Sequence, residues 1–264
     1  MAALRQSKMF SLLLALCYHA VSESWQSELS VTPDRLREQV QSFLRRGFEP
    51  LTFTEALLSP RPRALAVTFD DAYRSIPELA LPVLAELRVP ATVFVPTGDT
   101  DRPSLRSWPG IDRWVGGSWE TELTGATWSE LTRLVDAGWE IGSHTRSHPR
   151  LTQVSDEQLR EELAGSRADC AAATGLPCRS IAYPYGDADL RVAKAAERAG
   201  YEAGALLTDG IPKSGRNGHD PMMWPRLGVY ENDRPARLRL KSEAFLHTAR
   251  LWNLAQRARS VARR

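Results

Sequence analysis

The sequence has few cysteines, no long apolar run and no large net charge, and each absence excludes a class of protein. Three cysteines occur in 264 residues, an odd number and too few for the disulfide framework of a small secreted domain. No stretch approaches 18 consecutive apolar residues, so the sequence predicts no membrane-spanning helix. The formal net charge of +2 provides no field that would attract nucleic acid, and we expect no nucleic acid partner. The length instead suits one α/β domain.

The amino terminus permits two interpretations. Arg5 and Lys8 precede the apolar run 9–17, as in a secretory signal, but the run is short and no small-x-small cleavage site follows it cleanly. The alternative is a buried first strand over residues 12–18, because periodicity alone cannot assign short apolar runs. The signal interpretation predicts an exported protein. The strand interpretation, which we favour for a reason given below, predicts a cytoplasmic or peripheral membrane protein.

Further along, apolar runs alternate with amphipathic segments. A first helix begins at the N-cap Thr32 and ends at Gly47. The later predicted strands cover residues 64–69, 91–95, 139–142, 180–183 and 202–206, and the predicted helices cover 77–87, 128–137, 155–174 and 190–199. This alternation predicts βαβ units and a parallel sheet, either open or closed into a barrel. Residues 96–127 show no period and are predicted to form a long loop.

Two adjacent carboxylates follow the apolar strand 64–69 in the motif Thr68-Phe69-Asp70-Asp71. At the end of a strand both side chains can turn toward one cavity. Their mutual repulsion separates their pKa values, and a cation relieves the conflict by binding one carboxylate and leaving the other free as a base. The alternative is an ordinary helix or turn start, where Asp commonly caps.

Two of the five histidines lie four residues apart, His144 and His148, directly after the strand 139–142. They can meet one metal ion if the residues between them form a single helical turn. Two imidazoles and one carboxylate from another strand end form a facial set that leaves positions open for water. The alternative is a polar loop with solvated imidazoles.

The segment 182–186 reads Ala-Tyr-Pro-Tyr-Gly. A proline flanked by aromatic residues before glycine predicts a rigid turn that can direct a backbone N–H into a pocket. Plain turn chemistry explains the same residues.

The order Thr-Phe-Asp-Asp, His-Thr-x-x-His and Pro-Tyr-Gly resembles three motifs of the polysaccharide deacetylases of carbohydrate esterase family 4. The resemblance spans residues 12–230, and Tyr18-His19 resembles the end of the first strand in related members, which favours the strand interpretation of the amino terminus. It implies a distorted (β/α) barrel of about seven parallel strands. We therefore expect a single barrel domain over residues 12–233 and a basic amphipathic helical tail over 234–264.

The resemblance also implies a role for each motif residue. Asp70 would be the general base, and Asp71, His144 and His148 would bind a divalent metal ion. Zinc is the expected ion for an Asp-His-His set. Tyr185 would donate a backbone N–H to the developing oxyanion.

One departure from the family pattern concerns the base. Many members carry an arginine two residues before the motif proline, where it orients the base, and here that position is Ala182. Arg226, in Pro225-Arg226-Leu227, is a candidate substitute.

A second departure concerns the proton donor for the leaving amine. The family's later Leu-x-His motif is missing in clear form, so the general acid is unassigned. The candidates are His19, His219 and His247.

Several aromatic residues are candidates for substrate contacts. Four tryptophans lie in or beside the 96–127 loop, namely Trp108, Trp114, Trp119 and Trp128, and aromatic faces stack on sugar rings. We take Trp119, Tyr183 and Arg226 as candidate substrate-binding residues and expect Trp128, at a helix start, to pack onto the barrel.

The carboxyl-terminal tail has nine Lys or Arg residues and one acidic residue over Arg234–Arg264. Its apolar side is compatible with peripheral membrane contact, or with a solvated helix packed on the barrel, which we favour.

The leading hypothesis is a metal-dependent hydrolase that removes acetyl groups from N-acetylated sugars of a polysaccharide or glycan precursor. A catalytically inactive carbohydrate-binding protein that retains the metal site is an alternative, because the Arg and acid motifs are missing. A metal-dependent amidohydrolase acting on a non-sugar amide is another.

Overall fold

Strands and helices alternate through the residues that the structure, a computed structural model, describes, which are 12–59, 61–101, 103–208 and 220–246. The strands are β1 Leu13–Tyr18, β2 Ala20–Val21, β3 Ser30–Val31, β4 Glu49–Pro50, β5 Ala64–Phe69, β6 Ala91–Val95, β7 Glu140–Ser143, β8 Ser180–Ala182, β9 Ala203–Thr208 and β10 Trp224–Gly228. The α-helices are α1 Pro33–Leu44, α2 Phe53–Leu58, α3 Leu81–Leu87, α4 Trp128–Asp136, α5 Asp156–Arg160, α6 Ser166–Thr174, α7 Leu190–Arg198 and α8 over residues 235–246.

Seven strands close into a parallel barrel. Strands β5 to β10 pair in chain order, and β1 completes the ring by pairing with both β10 and β5. The sheet is therefore closed, which decides between the two arrangements that the alternation allowed and confirms the predicted barrel. The two-residue β4 extends the sheet beside β5, and β2 and β3 form a separate pair.

The first strand predicted over residues 12–18 forms as β1, Leu13–Tyr18. All six of its residues are buried, and they align with β5 from Leu13 opposite Ala64 to Tyr18 opposite Phe69. One face of β1 packs in the outer core and the other faces the barrel interior, so both faces are buried and the sequence is nearly continuously apolar.

Alternating side chains of the strands face two different cores. On β5, Leu65, Val67 and Phe69 pack outward against the helices, while Ala64 and Ala66 face the barrel interior. The interior also contains Ala15, Ala182, Ala203 and Ala205. Because side chains alternate with period two, Thr68 and Asp70 continue the inward row of β5 toward its carboxyl end. The many alanines leave room in the interior for one long polar side chain.

The predicted helix 155–174 is interrupted in the structure. A π-helical turn, Glu161–Gly165, separates α5 from α6, and a similar turn, Ile76–Ala80, precedes α3. Isolated π turns within helices often occur at functional sites. The first of these turns carries Glu162, whose contacts are described below.

The long loop predicted over residues 96–127 has little regular structure. It contains three short 3-10 turns and two isolated antiparallel bridges, Tyr73 with Gly125 and Leu105 with Thr124. The bridge to Tyr73 attaches the loop to the chain just after β5, and we call residues 97–126 the covering segment.

The described part of the tail packs onto the barrel through α8. Leu238, Phe245 and Leu246 of this helix are buried in the outer core. The predicted tail residues beyond 246 lie outside the described part of the chain. Among the helices that the structure describes, none has both the length and the apolar character needed to cross a membrane.

Candidate active site

The three motifs meet at the carboxyl-terminal rim of the barrel, beside a cleft of about 190 Å³. Asp70 and Asp71 follow β5, His144 follows β7, and Tyr185 follows β8. The cleft is lined by these side chains together with His19, Trp108 and His148, among others. Active sites of β/α barrels are built at this rim.

Asp71, His144 and His148 form a compact set of ligand atoms. One oxygen of Asp71, Oδ1, lies 3.4 Å from Nε2 of His144 and 3.5 Å from Nε2 of His148. All three residues are buried, and this carboxylate oxygen has no hydrogen-bond donor among the described residues. A buried oxygen without a donor, facing two imidazoles, fits a divalent cation.

The His144 ring is fixed by the neighbouring strand. Its Nδ1 lies 2.8 Å from the carbonyl oxygen of Ala182, so a neutral ring donates from Nδ1 and directs the Nε2 lone pair toward Asp71. Metal-binding histidines are commonly held in this way. Burial lowers the pKa of His144, but the carboxylates of Asp70 and Asp71 raise it by more, so the site attracts positive charge.

The second imidazole is neutral. Burial, with a smaller contribution from His144, lowers the pKa of His148 to about 3. An unprotonated ring retains a lone pair for a cation.

The backbone at the ligands is strained. Among the described residues, six non-glycine residues have positive φ, and five of them lie at this site, namely Asp71 (67°), Ala72 (49°), Thr145 (66°), His148 (58°) and Tyr185 (60°). The left-handed conformation costs about 1–2 kcal/mol for each such residue. Its concentration at one rim is typical of a functional site whose geometry the surrounding contacts impose.

The loop 144–148 does not form the single helical turn that we gave as the condition for both histidines to meet one ion. Its backbone instead reverses at two left-handed residues, and the hydroxyl of Thr145 accepts a hydrogen bond from the His148 N–H. Glu162 holds the loop from outside, since one of its carboxylate oxygens accepts the N–H groups of Arg146 at 2.7 Å and Ser147 at 3.0 Å. The imidazoles therefore converge through side-chain contacts rather than helical spacing.

Asp70 is held by Arg226 from inside the barrel. The two guanidinium nitrogens Nη1 and Nη2 each donate to one carboxylate oxygen of Asp70 at 2.7 Å, and Arg226 is fully buried. Burial raises the pKa of Asp70, but Arg226 and then His144 lower it by more, so the carboxyl stays ionised. The structure thus places Arg226 against the candidate base.

Cys17 and His19 lie beside the same carboxylate. The Cys17 thiol donates to Oδ2 of Asp70 at 3.4 Å, and burial raises the thiol pKa, so it remains protonated. A ring nitrogen of His19 lies within 4.8 Å of both the Cys17 sulfur and an Asp70 oxygen. This second cluster is a poorer cation site than the first, because Arg226 already occupies both oxygens of Asp70.

A family model described as polysaccharide deacetylase matches residues 58–204, more than half of the chain. The chain belongs to the polysaccharide deacetylase family.

Individual relatives agree with the family match. YxkH of Bacillus subtilis (strain 168) is 25% identical over 201 residues, covering 74% of this chain and 64% of the relative. The chain thus spans less than two thirds of YxkH. A poly-β-1,6-N-acetyl-D-glucosamine N-deacetylase of Staphylococcus aureus (strain MSSA476) is 23% identical over 241 residues, covering 85% and 72%. The deacetylase PplD of Streptococcus pyogenes, solved with acetate, shares the fold with a TM-score of 0.72 at 24% identity, covering 87% of this chain and 97% of PplD.

Other candidate residues of this polysaccharide deacetylase family member lie away from the cleft. The Tyr183 side chain is buried, and its hydroxyl donates to the Met222 carbonyl oxygen at 2.8 Å. Trp119 packs, half-buried, against the outer core rather than lining the cleft. The candidates His219 and His247 lie outside the described residues.

The sequence did not single out two residues that contact the site directly. Glu162 belongs to none of the three motifs. The predicted helix 155–174 nevertheless places it beside the apolar residues Leu159 and Leu163, where a buried carboxylate needs a partner. Cys17 was visible only as an apolar strand residue. Its inward direction follows from alternation along β1, because Leu13 and Ala15 face the barrel interior and Cys17 is next in the same row.

Proposed function

We propose that this chain is a metal-dependent carbohydrate N-deacetylase. The proposal is carried by one observation: Oδ1 of Asp71, which has no hydrogen-bond donor among the described residues, faces Nε2 of His144 and of His148, with the separately held Asp70 beside them. The reaction adds water across the amide bond of an N-acetylated sugar and releases acetate and a free amine.

The three residues of the candidate metal centre would hold a divalent cation, and their donor set suits zinc. When bound, such an ion polarises the acetyl carbonyl and lowers the pKa of an attacking water molecule.

Asp70 would accept the proton of the attacking water. Because Arg226 occupies Asp70 and keeps it ionised, the carboxylate is held off the cation and stays ready to receive a proton. The backbone N–H of Tyr185, in the tight turn after β8, would donate to the carbonyl oxygen as it gains negative charge.

His19 is the proposed proton donor for the leaving amine. It lines the cleft directly after β1, with a ring nitrogen within 4.8 Å of an Asp70 oxygen. Histidine is the side chain that most often acts as a general acid in enzymes. The roles proposed for His19 and Arg226 would account for both departures from the family motifs, which were the reason for considering an inactive binding protein.

An N-acetylated glycan is the proposed substrate. The family match supports a polysaccharide substrate. The relative from Staphylococcus aureus is a poly-β-1,6-N-acetyl-D-glucosamine N-deacetylase, which supports an N-acetylated glycan in particular.

The test is acetate release from N-acetylglucosamine oligomers by the purified protein. We expect turnover in the wild type and a loss of roughly 10²- to 10⁴-fold in Asp70→Asn, with the metal content per chain unchanged. Asp136→Asn, an exposed carboxylate at the end of α4, is the matched control and should retain full activity. Release from small acetamides but from no glycan would support a non-sugar amidohydrolase, and no release from either would contradict the proposal.

A further inference from the structure

The covering segment contacts the metal-binding residues as well as the cleft. Arg106 of this segment is 2% exposed, and its Nε donates to the backbone carbonyl oxygen of Asp71 at 3.1 Å. A buried guanidinium thus holds the backbone of one candidate ligand.

The backbone that Arg106 contacts needs external support. Asp71 and Ala72 are consecutive left-handed residues, a conformation that persists only where neighbouring groups impose it. Two further hydrogen bonds join the covering segment to this stretch, from the Ala126 N–H to the Ala72 carbonyl at 2.8 Å and from the Arg74 N–H to the Thr124 carbonyl at 2.8 Å.

Gly125 makes room for the guanidinium. A Cβ atom at this position would lie 2.4 Å from Cζ of Arg106, closer than any real carbon contact. The glycine therefore lets the backbone of the covering segment lie directly on the Arg106 side chain. A methyl group here would move the guanidinium without altering any residue of the metal centre.

Trp108, two residues further along, stacks on another ligand. Its ring centroid lies 4.0 Å from that of His148, with 19° between the planes. Unlike the His144 ring, the His148 ring is not held by a hydrogen bond at Nδ1, because this buried atom has no partner among the described residues. The edge of Tyr185, at 4.7 Å and 67°, contacts the same imidazole.

We infer that Arg106 and Trp108 are positioning residues of the metal centre: Arg106 fixes Asp71, and Trp108 fixes the ring plane of His148. Within the barrel, the Ala182 carbonyl oxygen already holds the His144 ring. Affinity for the cation consequently depends on the covering segment. This inference rests on the proposed metal centre but not on the identity of the substrate.

The test is the zinc affinity of the full chain, stripped of metal and titrated against a chromophoric chelator. Contacts that orient metal ligands are worth roughly 10- to 100-fold in affinity, so we expect losses of that size in Arg106→Met and Trp108→Leu. Gly125→Ala should weaken zinc binding in the same direction. Trp108→Phe keeps an aromatic face against His148 and should lose less than Trp108→Leu.

Matched controls separate positioning from general damage. Arg133→Met removes an exposed arginine of α4, and Trp128→Phe trims a tryptophan that lines no part of the cleft. Both should bind zinc as the wild type does. The melting temperature of each metal-free variant, and its increase on adding zinc, show whether a loss of affinity exceeds a loss of fold.

Wild-type zinc affinity in folded Trp108→Leu and Gly125→Ala would overturn the inference, and these two variants decide the matter even if Arg106→Met does not fold. A wild-type protein that binds no zinc would overturn the metal centre and this inference together. A protein that binds zinc with the expected pattern but deacetylates nothing would support the inference and contradict only the proposed function.

Discussion

Arg226 shows how one side chain replaces a family feature from a different strand. The family pattern led us to look for an arginine at position 182, on β8, whereas this chain supplies a guanidinium from β10. Both positions face the barrel interior, and the small residues there leave space for the side chain to reach Asp70 from either strand. Arg226 also donates to Oγ1 of Thr68 at 2.9 Å, one layer below the candidate base.

Replacing Arg226 should cost both stability and activity. Arg226→Met leaves the Asp70 carboxylate buried without its partner, which typically costs about 3–5 kcal/mol. Urea unfolding measures this loss, and acetate release should fall by at least about 100-fold. Adding Asp70→Asn to Arg226→Met removes the stranded charge and should restore part of the stability. If Arg226→Met alone were as stable as the wild type, the ion pair between Arg226 and Asp70 would contribute nothing to folding stability.

Residues in short motifs were predictable from the sequence, while their long-range partners were not. Asp70, Asp71, His144 and His148 each follow an apolar strand, so their position at one rim follows from local pattern and parallel topology. The partner of Asp70 is 156 residues away in sequence, and only the closure of the barrel brings it near. Likewise, the sequence alone does not show that the Cys17 side chain faces the barrel interior, because that direction is known only once β1 is paired with β5.

At the level of elements, the break between α5 and α6 supports the histidine loop. The sequence 155–174 has continuous helical character, so nothing in its periodicity predicts a π turn at Glu161–Gly165. The turn carries Glu162, which is 6% exposed and accepts two backbone N–H groups of the loop between the histidines. The loop lacks regular secondary structure of its own, and this carboxylate replaces the hydrogen bonds that a helix would have provided.

Removing the Glu162 carboxylate should loosen the histidine loop. Glu162→Ala leaves two backbone N–H groups without an acceptor, at about 1–3 kcal/mol each, so we expect a loss of roughly 2–6 kcal/mol in unfolding free energy and weaker zinc binding. Glu162→Gln keeps one acceptor oxygen and should fall between Ala and the wild type.

Glu161 provides the matched control, because it lies on the same π turn but is exposed. The unfolding free energy of Glu161→Ala should lie within about 0.5 kcal/mol of the wild-type value, as is usual for surface substitutions. Equal losses of unfolding free energy in Glu161→Ala and Glu162→Ala would mean that the π turn as a whole, and not the contact of Glu162 with the histidine loop, determines stability.

At the level of the whole molecule, β1 decides whether the sheet is a barrel. Among the described strands it is the first in sequence and the only one that pairs with both β5 and β10, so it joins the two ends of the sheet. The alternation of strands and helices could be read from the sequence, but ring closure could not, because open and closed sheets share that alternation. Strand β10 and helix α2 were not predicted, since each is short and β10 contains a proline and a buried arginine.

Weakening β1 should therefore destabilise the entire barrel. Leu16 is fully buried and packs in the outer core, and Leu16→Ala should cost about 2–5 kcal/mol of unfolding free energy. Leu240→Ala, at a position 68% exposed on α8, is the matched control and should change little. Urea denaturation of both variants provides the comparison. A Leu16 variant as stable as its control would mean that β1 does not contribute to the fold as described.

The metal content of the purified chain tests the central claim most directly. Elemental analysis of protein loaded with zinc and then desalted should give one divalent ion per chain in the wild type and in Asp70→Asn. The double variant His144→Ala and His148→Ala should retain well under one ion while still folding. A wild-type chain without bound metal, or a double variant with the wild-type metal content, would contradict the account.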